Sequence, residues 1–80
     1  KIDSINPKHF IIAGAFSSKK NAKKLVTTLQ RQNYKNARII GKNKSGLYRV
    51  CYDNFTKKSA AINNLRKIKQ KNSSAWVLSF

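Results

Sequence analysis

The sequence predicts one α+β domain, a βαββαβ sandwich with a four-stranded antiparallel sheet and two helices on one of its faces. Three observations predict it. Short β-branched or aromatic runs alternate with longer stretches of three- and four-residue apolar spacing. The two halves echo each other at one constant offset: Phe16, Ala22, Val26 and Leu29 align with Phe55, Ala61, Leu65 and Ile68. The chain has 80 residues and is 40% hydrophobic, which suits one domain with a small core. A repeated βαβ-like unit of this kind is a split βαβ, the ferredoxin-like (RNP-like) arrangement.

Each element has its own justification. Residues 1–8 are polar, carry Pro7 and read as a lead-in, leaving 9–80 as the domain. His9 to Phe16 (HFIIAGAF) is short, apolar and followed by Ser-Ser, which fits a buried strand. Ser17 is a candidate N-cap, and Ser18 to Gln32 reads as an amphipathic helix stopped by Asn33. Ala37 to Ile40 is a short strand candidate. Lys42 to Gly46 is a turn in which Gly46 can take positive φ. Leu47 to Tyr52 reads as a strand with Tyr48, Val50 and Tyr52 inward and Arg49 and Cys51 outward. Thr56 then caps a second helix running to about Gln70. Ala75 to Ser79 closes the sheet, with alternation unable to say whether Ala75 and Val77 or Trp76 and Leu78 face inward.

Composition excludes several function classes. Eighteen Lys and Arg stand against two acids, Asp3 and Asp53, for a net charge of +16. Paired-carboxylate chemistry needs two acids at one bond and has no basis here. One Cys and one His exclude a disulfide framework and a standard structural zinc site. Cys51 and His9 lack a third group to orient an imidazole, so we expect no catalytic site, no metal and no cofactor. No apolar run approaches ~18 residues, so no membrane span is expected. The chain opens without Met and reads as an excised domain of a larger parent.

Two features point toward a ligand. The charge attracts polyanions at long range. Most lysines lie on the helices, but Arg38, Lys42, Lys44 and Arg49 belong to the sheet and its turn. Trp76 offers either core packing or a stacking platform for a sugar or a base. The segment Lys44 to Val50 also resembles the third-strand signature of RNA-recognition modules, yet its aromatics share the inward parity of Val50. Nucleic acid is therefore expected to bind only non-specifically and in a salt-sensitive way. Contact of the lysine-rich helical back with anionic lipid is a further possibility.

Together, HFIIAGAFSSKKNAKKLV, GLYRV, NFTKKSAA and SAWVLSF resemble a SPOR domain (the sporulation-related repeat) over about His9 to Phe80. The resemblance implies the same βαββαβ fold and a non-catalytic peptidoglycan-binding module. It implies recognition of glycan strands stripped of stem peptides, which accumulate at division septa. It implies a place in the periplasm or cell envelope, within a membrane-anchored or lipoprotein parent. By position it puts Ile12, Gly14, Arg49, Cys51 and Trp76 at the glycan, beside Arg38, Lys42 and Lys44. Many members have Gln where this chain has Ile12, and Glu at helix starts where it has Lys19, Lys20 and Lys58. The basicity is thus peculiar to this chain, and it suits the lactyl carboxylates that stripped muramic residues expose.

Overall fold

A computed structural model describes residues 8–79; apart from Lys8, the expected lead-in lies outside them. The elements follow the predicted order: β1 (His9–Phe16), α1 (Lys19–Arg31), β2 (Arg38–Lys42), β3 (Tyr48–Phe55), α2 (Lys58–Lys69) and β4 (Trp76–Ser79). The strands form one sheet in the order β2-β3-β1-β4, antiparallel at each pair. Helix α1 packs over β2, β3 and β1, and α2 over β1, β3 and β4. The ferredoxin-like reading therefore holds.

The helix starts each lie one residue beyond the expected cap. Ser18, in extended conformation, is the N-cap of α1 and accepts from the Asn21 N–H at 3.3 Å. Propensity cannot separate two adjacent serines. In α2 the cap position falls on Lys57, whose side chain caps nothing. Strand β3 runs on to Phe55, three residues beyond Tyr52, and leaves Thr56 outside the helix. Asn33 stops α1 with φ +75°, and Gly46 turns the β2–β3 hairpin at φ +79°. Asn43 holds that turn by accepting from the Ser45 and Leu47 N–H groups.

The main core lies between sheet and helices. Ile11, Val50 and Tyr52 from the sheet meet Ala22, Leu29 and Ile68, with Ala37 and Ala75 where β2 and β4 begin. The internal repeat is a repeat of core positions. Ala22 and Ala61 are fully buried, and Leu29 and Ile68 nearly so. A small alanine at each site lets its helix sit close to the sheet. Tyr34 meets Tyr52 edge-on at 4.8 Å between ring centres. The Asn72 amide donates to the Tyr52 hydroxyl and to the Ala13 carbonyl, tying the end of α2 to β1.

Three pairing slips, two between β1 and β3 and one between β2 and β3, decide which side chains face away from the helices. Between β1 and β3, Ile11 pairs with Asp53, Ile12 with Cys51 and Gly14 with Val50, so Tyr52 is passed over on β3 and Ala13 on β1. Between β2 and β3, Ile39 pairs with Val50 and Lys42 with Tyr48. Ile40 and Gly41 there oppose a single residue, with Gly41 at φ +104°. Each slip exchanges the two faces for the residues beyond it.

Candidate functional site

The face away from the helices carries its own apolar cluster: Phe10, Ile12 and Cys51, with Ile40 and Leu78 packed against them. Register aligns one row across all four strands. Arg38 pairs with Cys51, Cys51 with Ile12, and Ile12 with Trp76. At a strand spacing of ~4.8 Å, the row from Arg38 to Trp76 spans about 14 Å. Its ends differ from its middle. Trp76 is 46% exposed and Arg38 is exposed, whereas Ile12 and Cys51 are buried.

Trp76 reaches this face because Ala75, just before β4 and 1% exposed, and Val77 within it turn toward the main core. The parity that the sequence left open is set by size. The small alanine fits under α2, and the indole is left outside. Arg38 sits over the Phe10 ring, its guanidinium carbon 5.6 Å from the ring centre, and one nitrogen donates to the Asn36 carbonyl at 3.4 Å. Its charge is therefore held at the edge of the face. Arg49 points the same way as Cys51, opposite Ala15 of β1.

The eight residues expected at the ligand do not all come together. Arg38, Arg49 and Trp76 share the helix-free face. Ile12 and Cys51 lie in that face but beneath its surface, as an apolar floor. Gly14 lies on the helix side: a Cβ there would stand 3.6 Å from the Phe16 ring and 3.9 Å from Leu25. The slip at Ala13 gives its place to Ala15, which is exposed. Lys42 is likewise turned by the slip at Gly41. Its ammonium lies over the Tyr48 ring, 4.9 Å from the centre, and Tyr48 packs with the main core. Lys44 is exposed in the turn beyond the sheet. The cue to this exchange is in the sequence, since a glycine inside a strand, here Gly14, often marks a bulge.

The site's chemistry follows from these placements. Burial pushes the Cys51 thiol up from its ordinary range, so at neutral pH it is a protonated, apolar filler. His9 pairs through Nδ1 with the Ser79 hydroxyl at 2.7 Å, at the far end of β1 from the slip. The face therefore offers an aromatic plane and two guanidinium groups around a dry floor. Such a surface can stack a ring and pair an anion. Tyr48 and Tyr52 both pack with the main core, so β3 presents no aromatic here of the kind that RNA-recognition sheets use.

No curated protein and no solved structure matches the chain. The family model of the SPOR domain matches residues 6–79. With that match over nearly the whole length, and the fold it requires, the chain belongs to the SPOR domain family, a family of peptidoglycan-binding modules.

Proposed function

We propose that this domain is a non-catalytic reader of glycan strands lacking stem peptides, and that it holds its parent protein at the bacterial cell wall, above all at the division septum. The observation that carries the reading is the exposed Trp76 in register with Arg38 across the helix-free face. A sugar ring has an apolar face suited to an indole. A stripped strand also presents a lactyl carboxylate at each muramic residue, and Arg38 and Arg49 suit those anions. A stem peptide would crowd such a shallow face and cover the same carboxylates by amide linkage. A ligand of this kind is found in the cell envelope, so the same reading puts the domain in the periplasm or cell envelope. Among the described residues no helix is long and apolar enough to cross a membrane.

Co-sedimentation with purified sacculi, before and after amidase removal of stem peptides, tests this. Pelleting is expected to increase on stripped glycan and to fall in Trp76→Ala and Arg49→Ala. Equal pelleting on both forms would remove the stripped-strand specificity. Unaltered binding by both folded variants would place the ligand elsewhere. Nucleic acid binding is expected to fade by ~150–200 mM salt, as charge-driven binding does.

A further inference from the structure

We propose a second binding surface on the opposite side of the domain, where the helical layer lies against an anionic lipid bilayer. In α1, Lys20, Lys24 and Arg31 recur at spacings that place them on one stripe, opposite the buried Ala22 and Leu29. Lys19 and Lys23 form the neighbouring row on one side of that stripe, and all five are exposed. In α2, Arg66, Lys67 and Lys69 are exposed as well. Neither helix contains an acidic residue. A face built only for solubility mixes both signs. This one is of a single sign: Lys19 and Lys20 in the first turn of α1 oppose the macrodipole, whereas Arg31 and, in α2, Arg66, Lys67 and Lys69 sit in last turns, where it favours cations.

The features of this layer favour lipid over nucleic acid. Neither helix carries an aromatic side chain on which a base could stack. The cations are spread over both helices that cover this face of the sheet, which suits a plane of headgroups. Ile62, 36% exposed, stands among them as an apolar side chain able to enter the headgroup layer. Charge complementarity thus commits the layer to a membrane surface rich in anionic headgroups. The surface is separate from the Trp76 face, so the inference stands whether or not the domain reads glycan.

Trp76 is the only tryptophan and lies on the far face, so it reports orientation. The domain is mixed with vesicles of phosphatidylcholine, with or without about 30% phosphatidylglycerol, at about 0.15 M salt. Co-sedimentation is expected only with the anionic vesicles, and bound Trp76 should remain open to acrylamide quenching. Combined Lys19→Gln, Lys20→Gln, Lys23→Gln and Lys24→Gln should weaken binding at least about tenfold. Arg66→Gln with Lys67→Gln should weaken it several-fold by itself, and circular dichroism checks that both variants fold. Arg49→Gln should bind vesicles as the parent does. Equal binding to neutral vesicles, or full binding by the folded lysine variants, would overturn the proposal. So would a shielded Trp76, which would make the sheet the docking face. Tighter binding to a single-stranded oligonucleotide than to anionic vesicles would assign the layer to nucleic acid instead.

Discussion

Trp76 and Cys51 lie in one row on one face, two strands apart, and differ in what water does to them. The indole is half-exposed, so Trp76→Ala removes little packing, and a thermal melt should change only slightly. Its effect should fall on the ligand: loss of a stacking platform worth ~1–3 kcal/mol weakens stripped-glycan binding by roughly tenfold or more. A melting temperature that falls sharply would mean the indole is a core residue. Cys51 has no exposed surface, and burial raises its thiol pKa. The unfolded chain exposes this thiol and releases its proton in the ordinary range. Above that range the folded state holds more protons, so stability is full at lower pH and falls as pH climbs. Urea midpoints of the parent and Cys51→Ala, compared from about pH 7 to about pH 10, should show the parent's advantage shrinking. Parallel curves would show that Cys51 does not couple to folding.

At the scale of the element, the two helices share a pattern and differ in their starts. Ser18 caps α1 through its side chain, whereas Lys57 offers α2 only its backbone and a charge of the unfavourable sign. Lys57→Asp should stabilise the domain by ~0.5–2 kcal/mol through a cap and an improved dipole interaction. In a domain of this size that raises the melting temperature by several degrees, at ~4–8 °C per kcal/mol. Ser18→Ala should lower it by a comparable amount. No change in either variant would mean that the ends of the helices fray before the domain melts. The helices themselves were legible in the sequence because apolar spacing reports a buried stripe directly. The constant offset between Phe16 and Phe55, and between Ala22 and Ala61, gave the topology for the same reason. Strand faces were less legible. Alternation places Ile12 with Gly14, and Arg38 with Lys42, but the slips at Ala13 and Gly41 separate both pairs. A bulge depends on the partner strand, and a period-two pattern contains no partner. The direction of Trp76 was open for a related reason, since only the contact of Ala75 with the core decides it.

For the whole molecule, charge is the dominant long-range term. The net charge is +16 over 80 residues. Asp53, the one described acid, accepts from the Asn36 side chain at 2.9 Å and from the Asn54 N–H at 2.7 Å. The fold therefore gathers many cations around a body with a radius of gyration of 12.2 Å. Self-repulsion opposes the compact state. The screening length falls from ~30 Å at 0.01 M salt to ~10 Å at 0.1 M, so repulsion across the molecule is felt at low salt and largely screened at moderate salt. Stability should therefore rise with sodium chloride, by several degrees in melting temperature between about 0.01 and 0.5 M. Most of the gain should come early, where the screening length drops below the size of the domain. That shape separates charge screening from salting-out of apolar surface, which keeps growing at high salt. An anionic ligand acts in the same direction, because neutralising either face relieves repulsion and binding to the folded state adds stability. Anionic vesicles and stripped glycan should each raise the melting temperature at low salt, and their combined effect should approach additivity if the two faces are independent. A melting temperature unchanged by salt would show that the cations lie far enough apart in water to ignore one another, and the basic layer would then carry no folding cost for a ligand to offset.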